Sequence, residues 1–230
     1  MGIPQGVGWL LSHLYAVTCR HCLLEGGYII RVNTRNGESR TFETDPLEWE
    51  FDEKGPDIAV LDITGKLNGA ADNYSILPDN LFLTKEFIAE VDFGIGEDGL
   101  MLGLLADQPG NIRNLIAARF GNVSLLACDD DPLRHPNGND RPSHSFDTRS
   151  RPGFSGSPVF VYRTIAGDLR STVMRGRDHS GVRVYSIDEL RENTFFMLLG
   201  LHVGQYPDTV KVEKVTAKDP RKAPLLQPRG

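Results

Sequence analysis

The chain has 230 residues, of which 40% are hydrophobic and 24% are charged, values that are ordinary for a globular protein. A formal net charge of −6 argues against a sequence-independent nucleic-acid binder, because such proteins present a basic surface to phosphate. No apolar run reaches the roughly 18 residues of a membrane span and no secretory signal pattern is visible, so we expect a cytoplasmic protein that binds neither nucleic acid nor membrane.

Short apolar runs bounded by glycine and proline recur along the chain, and such runs predict β-strands. In chain order, the clearest cover residues 28–32, 58–63, 100–105 and 157–162. Few stretches favour a helix, and the segments 81–91 and 187–193 are the candidates for short ones. The polar segments 129–147 and 167–183 are expected to be surface loops. Strands at regular spacing with turns between them predict an all-β barrel or sandwich.

Three residues with catalytic chemistry stand next to predicted strands, in the order histidine, aspartate, serine. His21 follows an apolar stretch in the sequence YAVTCRHC, residues 15–22. Asp57 lies at the entry to the apolar strand in GPDIAVL, which begins at residue 55. Ser155 belongs to GFSGSP, just before a further apolar run. Each feature alone has an ordinary explanation as a turn or cap residue, and the combination is what indicates a site.

Each of these side chains meets a need of nucleophilic hydrolysis. A serine hydroxyl is a weak nucleophile and requires a base within hydrogen-bond reach. Histidine can take that proton near neutral pH and return it to the leaving group, and a carboxylate behind the ring fixes its tautomer. The backbone N–H groups of Gly153 and Ser155 are the candidate oxyanion donors, because glycine allows the unusual dihedral angles that turn an N–H inward.

The order and local contexts of these three residues resemble the trypsin-like (chymotrypsin-fold) serine peptidases. The resemblance covers about residues 6–206 and includes the sequence GVGWLLS, residues 6–12. The segment 114–124 is similar to bacterial, disulfide-poor members.

The resemblance implies two six-stranded antiparallel β-barrels with the active site in the cleft between them. An N-terminal barrel, residues 1–90, would supply the histidine and the aspartate. A C-terminal barrel, residues 91–208, would supply the serine and the oxyanion donors, and residues 209–230 would form a tail. The implied function is that of a serine endopeptidase acting on a protein or peptide substrate through an acyl-enzyme, with no cofactor and no metal. The sequence carries no signal for an oligomeric state.

Two positions beside the serine depart from the family's pattern. Phe154 stands where many secreted relatives carry a polar or acidic residue, and Ser157 replaces the more usual second glycine. Neither position supplies the hydroxyl or the base, so neither change is expected to prevent catalysis. The few residues before Gly6 make a zymogen mechanism unexpected.

The sequence GLHVG, residues 200–204, is the candidate for one wall of the specificity pocket. Its Gly-x-His pattern is similar to viral 3C-type cysteine peptidases and glutamyl endopeptidases, in which that histidine binds a Gln or Glu side chain. The resemblance therefore implies that His202, with Ser150 at the side of the pocket, binds Glu or Gln before the cleaved bond. Alternatively, His202 is a polar strand residue with no role in substrate binding. Asp147 lies too far before the serine for trypsin-type preference.

Cys19 and Cys22 form a C-x-x-C pattern, which also occurs in zinc and redox sites. A zinc site needs about four ligands, and the chain's three cysteines include no second pair. Secreted trypsin-like enzymes place a disulfide cysteine directly after the histidine, but its usual upstream partner has no counterpart here. We interpret both residues as buried thiols.

Two other functions are alternatives to the peptidase for these residues. The nucleophile elbow of α/β-hydrolases, Gly-x-Ser-x-Gly, is nearly matched, but Ser157 stands at the second glycine and the order of the three residues differs. A non-catalytic relative that keeps the fold as a binding or scaffold protein is the remaining alternative. The presence of all three candidate catalytic residues favours the enzyme.

Overall fold

The structure is a computed structural model whose described residues are mostly β-strand. They are residues 5–11, 15–23, 28–53, 55–67, 74–128, 130–134, 140–149, 153–164 and 194–204. The expected all-β class is confirmed. Neither of the two larger sheets closes on itself within these ranges, so the two-barrel arrangement and the domain boundaries stay predictions. No helix in the described ranges is long and apolar enough to cross a bilayer.

The strands are numbered in chain order over the described residues. They are β1 Trp9–Leu11, β2 Tyr15–Thr18, β3 Tyr28–Asn33, β4 Ser39–Thr44, β5 Trp49–Glu50, β6 Ala59–Asp62, β7 Asp98–Leu104, β8 Ile116–Leu125, β9 Leu133–Arg134, β10 Asp140–Arg141, β11 Ser145–Asp147, β12 Pro158–Arg163 and β13 Phe195–Leu201. One α-helix, α1 Lys85–Glu90, lies within the first of the segments expected to be helical. It is capped by the Thr84 hydroxyl, which accepts a hydrogen bond from the Phe87 N–H at 3.2 Å.

The first large sheet is antiparallel and has the strand order β1-β2-β6-β5. Its apolar residues alternate toward a buried cluster that includes Leu10, Trp49 and Leu61. Thr18, the last residue of β2, pairs with Ala59, the first residue of β6. Because the strands are antiparallel, the residues after β2 and those before β6 leave the sheet at the same edge. This edge carries the sequences around the candidate histidine and aspartate.

The second large sheet has the order β11-β8-β7-β12-β13. Four successive residues of β12 are buried, as expected for a central strand covered on both faces. Pro158 at the start of β12 pairs with Leu201 at the end of β13. The loop that precedes β12 and the residues that follow β13 therefore meet at one edge of this sheet.

Hydrogen bonds join the two halves of the chain. The N–H of Val7, just before β1, donates to the carbonyl of Ser155, just before β12, at 2.7 Å. On the β3–β4 hairpin, the Arg31 guanidinium donates to Asn114 Oδ1 and to the Pro109 carbonyl, both at 2.6 Å. These contacts fix the first sheet and its hairpin against segments of the second.

The polar segment 129–147 differs from the expected loop. Within its described residues, β9 pairs with β10, and β11 pairs with β8 at the edge of the second sheet. Strand pairing uses backbone hydrogen bonds, and short edge strands need few apolar side chains. The absence of a hydrophobic run therefore hid these strands. The second expected loop, 167–183, and the other segment expected to be helical, 187–193, lie outside the described residues.

Candidate active site

His21 lies in a tight turn directly after β2. Cys19 is extended, and residues Arg20–Cys22 form one turn of 3-10 helix. The Cys22 N–H donates to the Cys19 carbonyl at 3.1 Å, and the Leu23 N–H donates to the Arg20 carbonyl at 2.8 Å. Cys22 is buried beneath the turn, whereas 44% of the His21 side chain is exposed. The turn thus exposes the imidazole to solvent while the neighbouring Cys22 stays buried.

Asp57 binds His21 at two points. Its Oδ2 lies 2.6 Å from His21 Nδ1, and its Oδ1 accepts the His21 backbone N–H at 2.9 Å. The Asp57 carbonyl also accepts the Arg20 N–H at 3.4 Å. A carboxylate in this position favours the tautomer with the proton on Nδ1, which leaves Nε2 to accept a proton from another group. The structure thus brings these two predicted site residues together.

The pKa of His21 is raised from 6.5 to about 10, chiefly by its hydrogen bond to Asp57 and next by contact with Cys22. Burial acts in the opposite direction but is outweighed. A carboxylate stabilises the imidazolium because it is an opposite charge within hydrogen-bond distance. At neutral pH the imidazolium therefore predominates in the free protein.

We expect the His21 ring to titrate at about 10 when its carbon-bound protons are followed by NMR. His144 provides an internal comparison, because burial lowers its pKa below 6.5. Replacing Cys22 by alanine should lower the His21 value, since the sulfur raises it. A His21 ring that titrates at its ordinary value would contradict the geometry.

The same shift predicts the pH dependence of stability. The folded-state pKa of His21 lies above the unfolded value, so protonation favours the folded state. The contribution is complete below about 6.5 and is lost as the pH rises toward about 10. We therefore expect the melting temperature to fall as the pH rises through that window. The fall should be smaller in Asp57→Asn, because the hydrogen bond to Asp57 is the main cause of the shift.

Ser155 occupies the second position of a four-residue turn. The Ser157 N–H donates to the Phe154 carbonyl at 3.0 Å, and Gly156 at the third position has φ +84°. A positive φ at the third position is typical of type II turns and favours glycine. Phe154 is fully buried with Met101. The buried ring anchors the turn, and Ser155 is partly exposed.

Gly153, the candidate oxyanion donor that precedes this turn, has φ +95°. A Cβ on this residue would lie 3.1 Å from both the Ala106 Cβ and the Leu104 carbonyl. An L-residue here would combine backbone strain with crowding. The conformation is the unusual one that the sequence argument required of Gly153.

The turn around Ser155 is held from both sides by backbone hydrogen bonds. The Val7 N–H donates to the Ser155 carbonyl at 2.7 Å, and the Gly156 N–H donates to the His202 carbonyl at 2.9 Å. The Thr18 hydroxyl in turn donates to the Val7 carbonyl at 2.7 Å. A Cβ on Gly156 would overlap the Val7 carbonyl. Val7 thus links the serine turn to the end of β2.

Gly6 marks how close the serine turn lies to the histidine turn. A Cβ on Gly6 would lie 2.9 Å from the Ser155 carbonyl oxygen and would overlap the Cys22 sulfur. The backbone of Ser155 and the residue that follows His21 therefore flank the same glycine. Sequence inspection assigned Gly6 only to a strand, because its role depends on contacts between distant segments.

The hydroxyl of Ser155 forms no hydrogen bond with the His21 ring among the described contacts. Catalytic hydrogen bonds are often long or poorly aligned without substrate, and they tighten when substrate binds. Ser157 Oγ is different: it is buried and has no hydrogen-bond partner among the described residues. Of the two serines, Ser155 is thus the one available to a substrate.

His202 follows β13 and lies beside the serine turn. Its N–H donates to the Ser157 carbonyl at 2.8 Å, while its own carbonyl accepts from Gly156. Burial, and next the charge of His21, lower the pKa of His202 to about 4. The ring is therefore neutral near pH 7. Ser150, the other predicted substrate-binding residue, lies outside the described residues.

Cys19 and Cys22 are buried, as the sequence predicted, and they also contact the candidate catalytic residues, which the sequence did not predict. The Cys19 thiol donates to the His202 carbonyl at 3.1 Å. Contact with Cys19 lowers the pKa of Cys22, and the neighbouring His21 lowers it further. Contact with Cys22, followed by burial, raises the pKa of Cys19. The C-x-x-C pattern around the histidine was the signal in the sequence.

One group of side chains has the composition of a metal site. Single ligand atoms of Cys19, His21 and Asp57 lie within 4.8 Å of one another. The imidazole and carboxylate are hydrogen-bonded to each other, and the thiol donates to a carbonyl. Because a metal would have to displace these hydrogen bonds, we assign no metal to the group.

Comparisons with known proteins find solved structures that are similar to this chain, among them the following two. No family model matches the chain, and no curated protein matches it. A crystal structure of Deg5 is 17% identical, with a TM-score of 0.46 over 69% of this chain and 70% of that one. The MamO protease domain from Magnetospirillum magneticum, in its apo form, is 15% identical, with a TM-score of 0.47 over 75% of this chain and 88% of that one. At these scores the function must be argued from the residues of this chain.

Proposed function

We propose that the protein is a serine endopeptidase of the trypsin-like type, in which His21, Asp57 and Ser155 form the catalytic triad. The observation that carries the proposal is the two-point binding of His21 by Asp57, through Nδ1 at 2.6 Å and the backbone N–H at 2.9 Å. This arrangement fixes both the position and the tautomer of a general base. The approach of the serine turn to Gly6 and Cys22 supports the third member.

In the proposed reaction, the neutral form of the His21 ring, which the raised pKa makes the minor form near pH 7, accepts the proton of Ser155 Oγ at Nε2 as the oxygen attacks the substrate carbonyl. Hydrolysis should therefore rise as the pH increases toward about 10. The imidazolium, stabilised by Asp57, then protonates the leaving amine, and an acyl-enzyme forms. Water enters and is deprotonated by the same ring, and attack on the ester releases the second product. The N–H groups of Gly153 and Ser155 stabilise the oxyanion, at about 3 kcal/mol for each donor. No cofactor takes part in this scheme.

The proposal includes the architecture of the resembling family. One barrel, residues 1–90, carries the histidine and aspartate, and a second, residues 91–208, carries the serine. The division of the strands supports it, because the first large sheet is built from residues up to Asp62 and the second from Asp98 onward. The candidate catalytic residues lie next to strand ends of the two sheets. Val7 links these ends, because it is hydrogen-bonded both to Thr18 at the end of β2 and to Ser155 before β12.

A non-catalytic binding or scaffold protein is the second candidate function. The observation that favours it is the lack of a hydrogen bond between the Ser155 hydroxyl and the His21 ring in the described contacts. A scaffold would not require the positive φ of Gly153 or the pairing of His21 with Asp57, and both are present. The enzyme therefore accounts for more of the geometry.

Labelling with a fluorophosphonate distinguishes the two functions. An active serine hydrolase forms a covalent bond between its nucleophile and the phosphorus, because its base activates the hydroxyl. We expect the wild-type protein to take up one label, detected by intact mass, and Ser155→Ala to take up none. A folded wild-type protein that remains unlabelled would contradict the peptidase proposal and favour the scaffold.

We further propose that His202 contributes to a preference for Gln or Glu before the cleaved bond, with Ser150 beside it. A neutral imidazole can donate one N–H to an amide or carboxylate oxygen of the substrate. Its low pKa, caused mainly by burial, means that it does so without a positive charge. Burying a carboxylate without an opposite charge is costlier than burying an amide. We therefore expect Gln to be preferred over Glu.

The preference is testable with peptides that differ only in the residue before the cleaved bond. We expect kcat/KM to be highest for Gln, followed by Glu, with Lys, Arg and large aromatic residues far lower. His202→Ala should reduce the preference for Gln by about 10²-fold, because the hydrogen bond to the amide is lost. His144→Ala is the matched control and should leave the order unchanged. Preferential cleavage after basic or aromatic residues would contradict the assignment.

A further inference from the structure

The two cysteines that enclose His21 have no part in the proposed reaction. Cys19 is fully buried and Cys22 is 8% exposed, whereas Cys128 is exposed and lies on a different segment. Both buried sulfurs nevertheless contact groups of the candidate active site. Cys19 donates to the His202 carbonyl, and the sulfur of Cys22 lies against Gly6 beside the Ser155 carbonyl.

The backbone already holds the two cysteines in a geometry that a disulfide can use. The Cys22 N–H donates to the Cys19 carbonyl at 3.1 Å, so the two residues close one turn with i to i+3 hydrogen bonding. In such turns the two Cα atoms lie within about 7 Å, and disulfides span Cα separations of about 4.4–6.8 Å. The two sulfurs are also close enough for each cysteine to shift the pKa of the other. Bond formation thus requires only a small local adjustment.

We propose that Cys19 and Cys22 are an oxidisable pair whose disulfide switches off the active site at His21. The inference rests on the proposed function only for its effect on hydrolysis, because the disulfide itself does not depend on catalysis. His21 lies between the two cysteines in the chain, inside the loop that the disulfide would close. Joining the sulfurs would also withdraw Cys19 from the His202 carbonyl and Cys22 from the imidazole.

Hydrogen peroxide is the oxidant that we name for the step. The Cys22 thiolate attacks one peroxide oxygen, so that an S–O bond forms and the O–O bond breaks, and the released hydroxide leaves as water after protonation. The Cys19 sulfur then attacks the sulfenic sulfur, an S–S bond forms and the S–O bond breaks. The departing hydroxyl takes the Cys19 proton and leaves as a second water. Two thiols are oxidised and one peroxide is reduced.

The surroundings of Cys22 favour it as the attacking sulfur. The thiolate is the reactive form of cysteine, and nearby hydrogen-bond donors and positive charge stabilise it. Cys22 lies beside Cys19 and the adjacent His21, and these two neighbours lower its pKa. Cys19 is then placed as the resolving thiol, which is the division of roles found in dithiol redox pairs.

The test uses the full chain with Cys128→Ser as background, treated with hydrogen peroxide in the presence of a chelator. We expect the peptide that contains both cysteines to lose the mass of two hydrogen atoms, and hydrolysis to fall by about 10²-fold, the cost of a misplaced catalytic group. A dithiol reductant should restore both readouts. Cys19→Ser and Cys22→Ser, each compared with its own untreated activity, should show neither the mass loss nor the reversible inhibition.

The outcomes separate this inference from the proposed function. Absence of the mass loss, or a mass loss that persists in Cys19→Ser, overturns the inference whatever the activity is. A disulfide that forms without reducing hydrolysis also overturns it. A reversible disulfide in a protein that hydrolyses no peptide and takes up no fluorophosphonate supports the thiol pair and overturns the proposed function instead.

Discussion

Ser155→Ala should lower kcat for peptide hydrolysis by about 10⁶-fold, because it removes the only nucleophile of the proposed triad and the other members cannot act without it. The partly exposed Ser155 hydroxyl forms no hydrogen bond among the described contacts, so the melting temperature should change little. Steady-state hydrolysis and thermal unfolding, measured on the same preparation, check both parts. Turnover near that of the wild type would disprove the assignment of Ser155.

The chain provides a matched control two residues away. Ser157 lies in the same turn, but its hydroxyl is fully buried and has no hydrogen-bond partner among the described residues. Ser157→Ala therefore removes the same atom from a position that faces the core, and hydrolysis should stay close to that of the wild type. If Ser157→Ala rather than Ser155→Ala abolished activity and labelling, the two serines would have to exchange roles.

Asp57→Asn should lower kcat by up to about 10⁴-fold while leaving the turn in place. Asparagine can still accept the His21 backbone N–H through its oxygen, but it then presents an amide N–H to Nδ1. The ring would hold its proton on Nε2 and could not accept the serine proton. The pKa of His21 should also fall from about 10, because the hydrogen bond to the carboxylate is its main cause.

Activity and the NMR titration of His21 should be measured together on Asp57→Asn. Asp62→Asn, at the end of the strand β6 that Asp57 precedes, is the control, because its carboxylate accepts the Thr64 N–H at 2.7 Å and faces solvent. We expect that control to change neither kcat nor the His21 titration. Full activity in Asp57→Asn with an unchanged His21 pKa would show that the carboxylate does not govern the ring.

Much of the fold was predictable because its signals are local. The runs at 28–32, 58–63, 100–105 and 157–162 correspond to β3, β6, β7 and β12, and the helix falls inside 81–91. Apolar alternation between turn residues reports half-buried strands without any knowledge of their partners. The short strands β9 to β11 were missed, since edge strands are held by backbone hydrogen bonds that leave no pattern in polar side chains.

The candidate site was predictable only in part. His21, Asp57, Ser155 and Gly153 were chosen by residue type and order, and the structure adds the 2.6 Å contact of the first two and the positive φ of the last. The contacts of Gly6 with both turns and the neutral state of His202 could not be predicted. They depend on burial and on charges supplied by segments far away in the sequence.

By itself, the sequence determined the strand-rich class and the chemical groups that stand at strand ends, because both follow from residue type and short-range periodicity. Only the tertiary structure decided how those groups act on one another. His21 and Asp57 are 36 residues apart and meet because β2 and β6 pair with their ends at one edge. The same packing encloses Cys19 and Cys22 around the imidazole. The proximity of His21 to Asp57, which is the main cause of the raised pKa of the ring, is a property of strand pairing that residue type and short-range periodicity do not show.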